Sequence, residues 1–293
     1  MRVSLIVSTR NRATRLPEFL ACMSSLHAPS GGWELILVDN ASTDGTPLIL
    51  ERFAAHAAFP VRCVRAAVPG LSHARNAGLA CATGDIIAFT DDDCYPRPDY
   101  LGALVEVFED DRLGFVGGRT VLHDASDARV GVKDLDAPLD IGPRAFVPAG
   151  FIHGANMAVR REVLRAIGGF DPLLGAGTSC VAGEDTEYIA RAVWAGWRGR
   201  YDPRPIVAHH HGRKPGAEAD RQKRGYDYGR GAYYARFVLD ARSRRVYLHE
   251  WYCRTVRPVT LARLRRLRRE LVGAGRYLML HLTRKEPIPE FGG

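Results

Sequence analysis

Four apolar runs, each stopping at polar or acidic residues and alternating with helical patterns, constrain this chain more than any other feature. VSLIV, from Val3 to Val7, precedes a stretch in which Leu16, Phe19, Leu20 and Met23 recur at helical spacing. WELILVDN is followed by TPLILERFAAHA, a helix opened by Thr46 and Pro47. VRCVRA leads into SHARNAGLACATG, with Ser72 as the expected N-cap and Gly84 as the stop. DIIAFT then ends in three aspartates. Strand and helix in alternation predict an α/β fold with a mostly parallel central sheet.

Open α/β sheets bind ligands at the carboxyl ends of their strands. Thr9 to Arg12, Asp39, and Asp91 to Asp93 all follow strand ends, so they should meet in one cleft. Further along, a helix is expected from about Asp99 to Phe108 and a strand at GFVGGRTVL. Residues 123–147 mix Asp, Ala, Gly and Pro irregularly, as functional loops do. GANMAV reads as a short strand, REVLRAI as a short helix, and EDTEYIARAVWAG as a longer helix ended by Gly196.

Composition narrows the class. The chain has 293 residues, 46% hydrophobic and 25% charged, enough for one large core or two modest ones. Six scattered cysteines form no C-x-x-C pair and no disulfide framework, which fits reduced thiols and a cytoplasmic setting. The apolar run at the N-terminus is too short for a secretory signal, and no stretch approaches a spanning helix.

The formal charge of +8 is uneven, with 20 Lys/Arg against 8 Asp/Glu from Arg213 onward and 21 against 25 before it. LARLRRLRRELVGAGRYLMLHL places Leu261, Leu264, Leu267, Leu271 and Val272 on one stripe bordered by arginines. We expect a basic helical extension over 215–293 that meets an anionic membrane surface or forms a dimer face. A solvated basic helix is the plainer alternative.

TDDDC is the most informative cluster. Three carboxylates at the end of a buried strand repel one another unless a cation sits among them. Oxygen ligands favour Mg2+ or Mn2+. In HHH, period-two alternation places His209 and His211 on one face and His210 on the other; a neutral imidazole there can complete a metal shell. Glu184 and Asp185 open a helix, where the amide dipole keeps a carboxylate ionised. That position also suits simple capping, as DNASTDG around Asp44 suits turn chemistry. Trp194 and Trp197 read as hydrophobic anchors before sugar-stacking residues.

Taken in order, SLIVSTRNR, ILVDNASTDGT, HARNAGL, FTDDDC, GANMAVRREVLRAIGGFD and GEDTEY resemble the family 2 glycosyltransferases, bacterial type, which have the GT-A fold. The resemblance covers 1–214, with about 1–110 as the nucleotide-binding half and about 111–214 as the acceptor-binding half. It implies that Thr9, Arg10 and Arg12 line the nucleotide pocket, that Asp39 faces the base, and that Arg75 lies near the diphosphate. It implies Asp91 near ribose and metal, Asp93 as the firmest metal ligand, His209 as a further ligand, Asn156 at the acceptor, and Asp185 as general base beside Glu184. Cys94 departs from the further acid many relatives carry.

The activity so implied is inverting transfer of a sugar from a nucleoside-diphosphate donor, UDP-linked first, to an acceptor hydroxyl in polysaccharide or glycoconjugate synthesis. A glycan or lipid-linked acceptor suits a protein on the cytoplasmic face of a membrane. Two other readings compete. A sugar-phosphate nucleotidyltransferase should carry a Gly-rich phosphate loop, which STRNRATRL lacks. A catalytically silent nucleotide-sugar or nucleic-acid binding protein would use the arginine-rich tail, and the acid set argues against it.

Overall fold

The computed structural model describes residues 1–257, 260–284 and 286–291. Its first half runs β1 (Val3–Thr9), α1 (Leu16–Ser24), β2 (Trp33–Asn40), α2 (Thr46–His56), β3 (Val61–Ala66), α3 (Leu71–Cys81), β4 (Ile86–Asp91), β5 (Cys94–Pro96) and α4 (Tyr100–Val107). Then come β6 (Leu113–Leu122), β7 (Leu139–Ile141), β8 (Met157–Arg160), α5 (Arg161–Ile167), α6 (Glu184–Trp194) and β9 (Arg198–His209). Among the described residues α7 (Ala217–Leu239), α8 (Arg244–Trp251) and α9 (Leu261–Leu282) follow, with a π-helical turn at Tyr252–Val256 between the last two.

One sheet organises these elements, in the order β3-β2-β1-β4-β8-β6-β9-β5, with β7 paired to β9. β3, β2, β1 and β4 are parallel, as the alternation predicts. β8 runs antiparallel to both β4 and β6, and β6 is parallel to β9. Alternate residues of the central strands enter different cores: Ile6, Ile36 and Phe89 on one face, Leu5, Val7, Leu35 and Leu37 on the other. A sheet buried on both faces explains the continuous apolar runs.

Register is what matters for the site. Thr9 lies beside Asp39, and Ser8 beside Asp91, so three strand ends reach the same edge. On the far side, Cys94 pairs with His209, which brings the end of β9 back to the acidic triplet. α3 lies close against β1 and β2 because Gly78 has no side chain; a Cβ there would sit 2.5 Å from Ile6 Cγ2.

Several sequence expectations need correction. α3 starts after Gly70, and Ser72 lies inside its first turn with its hydroxyl donating to Leu174 O at 2.7 Å. Residues 154–156 of GANMAV form a 3-10 turn before β8. The irregular stretch 123–147 contains β7, and Lys133 bridges to Thr120.

The C-terminal helices pack onto the sheet layers. α7 and α9 approach so closely that a Cβ on Gly231 would lie 1.9 Å from Glu270 O, and one on Gly273 2.0 Å from Tyr228 O. Tyr233 and Tyr247 are buried in the same core as Ile6 and Phe89, so these helices share the main hydrophobic layer.

Candidate active site

The loop after β1 is shaped by its own polar groups. Asn11 adopts φ 52°, a left-handed conformation that Asn tolerates, and its Oδ1 accepts from Thr43 N at 2.8 Å. Asp44 accepts from Thr46 N and Ala13 N, which is turn and cap chemistry. Asp39 is 4% exposed. Its Oδ1 accepts from Ser42 N at 3.0 Å, while its buried Oδ2 has no hydrogen-bond partner. That second oxygen lies 3.9 Å from Arg65 Nε.

Within the triplet, the middle residue does what the sequence did not reveal. Asp92 accepts from Thr9 Oγ1 at 2.5 Å and lies 3.3 Å from Arg12 Nε. Burial pushes its carboxyl up to about 6, against the Arg12 charge. Asp92 and Arg12 thus tie the β1 loop to the end of β4. Arg12 also reaches Asp93 Oδ2 at 3.6 Å.

Asp91 and His209 line the same cavity, and Asp93 stands beside His209. His209 Nε2 is 3.5 Å from Asp93 Oδ1. Against the penalty of burial, contact with His209 holds Asp93 below the usual carboxylate range, and Asp93 in turn holds the imidazole above its usual value. Asp91 is raised by burial, with the Asp93 and Asp185 charges adding to it. Cys94 is fully buried and its thiol is pushed well up, so it stays neutral and packs as core. One carboxylate that burial disfavours as an anion, a second held below its usual range and one imidazole are donors that fit a hard or borderline divalent cation.

Arg75 locks the site to its other half. It is 3% exposed, donates to Glu184 Oε1 at 3.0 Å and reaches Asp91 Oδ1 at 3.3 Å. Its guanidinium also lies over the Phe170 ring at 5.3 Å. Both forks are engaged by carboxylates, so here it clamps α6 to β4. Burial and the neighbouring Asp185 charge push Glu184 up to about 7. Asp185 accepts from Gly154 N at 2.9 Å and from Thr186 N at 2.6 Å.

Asp91, Glu184, Asp185, Arg75 and His209 line a cavity of about 310 Å³. α7 supplies part of its wall through Gln222, Tyr226, Arg230 and Tyr233, so the C-terminal helices are not a mere appendage to the cleft. His153 also lines it, with a buried Nδ1 that lacks a partner. The sequence signal for either contribution is weak: α7 shows no amphipathic stripe and its GYDYGRGAYYAR segment only weakly extends the family resemblance, and FIHGAN holds a lone histidine.

One expected contact sits elsewhere. Asn156 is fully buried, its amide donating to Arg119 O and Pro205 O and its oxygen accepting from Tyr100. That bonding removes it from the acceptor space and makes it a core brace. Arg10 is exposed at the rim. Trp197 packs over Gly114, as an anchor does.

Comparison with known proteins agrees with this architecture. The sequence profile described as glycosyl transferase family 2 matches residues 4–168. The pre-mycofactocin glycosyltransferase of Mycobacterium tuberculosis is 30% identical over 216 residues, covering 71% of this chain and 43% of the relative; the chain therefore spans under half of that relative's length. Among solved structures, a mannosyltransferase of Pyrobaculum calidifontis in complex with GDP-Man and Mn2+ superposes with a TM-score of 0.67, 23% identity and coverage of 98% and 76% of the two chains. S. aureus TarS 1–349 in complex with UDP-GlcNAc gives 0.61 at 14% identity, covering 95% and 81%. Both likenesses show the GT-A fold.

Proposed function

The chain belongs to glycosyl transferase family 2, and from that premise we propose that it is an inverting, divalent-cation-dependent enzyme using a nucleoside-diphosphate sugar. The observation that carries this reading is the convergence of Asp91, His209 and Asp185 on one cavity, with Asp93 3.5 Å from His209. We take UDP as the first nucleotide to test; the structural neighbours' own ligands, GDP-Man and UDP-GlcNAc, make guanosine the second.

Asp39, Thr9 and Arg12 would hold the nucleoside end: Asp39 Oδ2 accepts from the base, and the β1 loop fixed by Asp92 frames it. Asp91, Asp93 and His209 would hold Mg2+ or Mn2+, which when bound neutralises the diphosphate leaving group. Arg75 acts as a positioning residue that keeps Asp91 and Glu184 in register. Asp185, oriented by the Gly154 amide, takes the proton of the acceptor hydroxyl. Attack by that oxygen on the anomeric carbon expels the nucleoside diphosphate and inverts the centre. Positioned base catalysis contributes about 10²- to 10⁴-fold. Asp185→Asn should lower turnover by that order with donor affinity nearly intact; equal loss of donor affinity would contradict the assigned role.

The catalytic unit, in this reading, comprises 1–214 completed by the wall of α7. No helix among the described residues is long and apolar enough to cross a membrane. α9 nonetheless exposes Leu261, Leu264, Leu271, Val272, Met279 and Leu282, bordered by Arg265 and Arg268. That pattern suits an anionic lipid surface on the cytoplasmic side, with a lipid-linked acceptor. Replacing Leu271 and Met279 by Asp should reduce co-sedimentation with phosphatidylserine vesicles; unchanged sedimentation would remove the membrane reading and leave this face to a second copy of the chain.

A further inference from the structure

Behind the acidic triplet lies a second group of ligating side chains that the reaction does not use. Glu18 projects from α1, His123 follows β6, and His210 follows β9. One ligand atom from each lies within 4.8 Å of the others. His210 Nδ1 is 4.0 Å from Glu18 Oε1 and 3.4 Å from the Tyr95 hydroxyl. The His123 and His210 rings stack at 4.3 Å between centroids, 27° apart, and the Tyr95 ring meets His123 edge-on at 5.1 Å.

The donor set differs in kind from that in the cleft. Two imidazoles and one carboxylate suit a borderline transition ion of the zinc class, whereas the carboxylate-rich cleft suits a harder one. His123 and Glu18 are exposed, so an ion has an open path to them.

The backbone connects this group to the cleft. His210 N donates to Asp93 O at 2.7 Å, and His123 N donates to His209 O at 3.1 Å. Each histidine of the outer group is therefore bonded through its amide to one proposed ligand of the inner site. We propose that Glu18, His123 and His210 form a second, zinc-class cation site that ties α1 and the ends of β6 and β9 into a brace behind the cleft. This site stands on its own residues and is testable whatever the cleft binds.

The test uses the full chain carrying Asp93→Ala, which disables the inner site, titrated with cobalt(II) chloride and followed by visible absorption and calorimetry. One ion should bind, with d–d bands of a nitrogen and oxygen site and no thiolate charge-transfer band. Adding His123→Ala or Glu18→Ala should weaken binding by at least about tenfold, while adding His27→Ala, on another exposed surface, should leave it unchanged. Circular dichroism confirms that each variant is folded. No cobalt bound to the Asp93→Ala parent, a thiolate band, or equal affinity after His123→Ala would overturn the proposal.

Discussion

Two buried clusters of carboxylates and arginines lie within this molecule, and they are balanced differently. In the C-terminal helices, Asp227 and Glu270 face Arg230, Arg266 and Arg269. Glu270 Oε1 accepts from Arg230 Nε at 2.5 Å and Arg266 Nε at 2.9 Å, while its Oε2 accepts from Trp251 at 2.8 Å. Asp227 is bonded by Arg230 and by Arg269, the latter at 2.7 Å. Every acidic oxygen there has a donor, and cations outnumber acids. In the cleft, Asp91, Asp92, Asp93, Glu184 and Asp185 face two arginines, Arg12 and Arg75. Burial raises Asp91, Asp92 and Glu184 instead of being offset. A balanced cluster holds the fold together; an excess of buried acid marks a place built for something positive to arrive.

Substitutions in the two places should separate these roles. Glu270→Ala strands Arg230 and Trp251 in a packed interface and should cost about 3–5 kcal/mol of stability by denaturant unfolding, an effect that added Mn2+ does not repair. A loss below about 1 kcal/mol would mean the C-terminal cluster is not structural, and the contrast would fail. In the cleft the expected effect on stability is smaller and pH-dependent. Asp92 titrates higher folded than unfolded, so its contribution is full below pH 4 and is lost as pH rises through about 6. In chelator-containing buffer, wild type should therefore lose on the order of 2 kcal/mol relative to Asp92→Asn between pH 4 and 7. Parallel stability profiles would show that burial does not hold the Asp92 proton.

The sequence made some of this legible and hid the rest for physical reasons. β1, β2 and β4 are buried on both faces, so their apolar runs announced both their existence and their polar ends. The placement of Asp39 and Asp91 at one sheet edge followed from those ends. Asp92 looked like the spacer of an acidic run, because its partners Thr9 and Arg12 are some eighty residues away. The same holds for Arg75, whose partner Glu184 is 109 residues distant. Three-residue β5 has no pattern of its own and exists only through pairing with β9. Asn156 was itself the acceptor contact that the resemblance implied, yet buried carbonyls claim its amide. α7 interleaves Gly and Tyr to fit α9 on one side and the cavity on another, so no single stripe betrayed its place in the site.

The central claim is most directly tested by incubating folded protein with Mn2+ or Mg2+ and a panel of nucleoside-diphosphate sugars, and measuring release of the nucleoside diphosphate by chromatography. The account predicts metal-dependent release from one donor that is lost in Asp93→Ala, together with thermal stabilisation by the matching nucleoside diphosphate that also requires Asp93. Folded wild-type protein that releases nothing from any donor, and is stabilised by no nucleoside diphosphate with either ion, would contradict it.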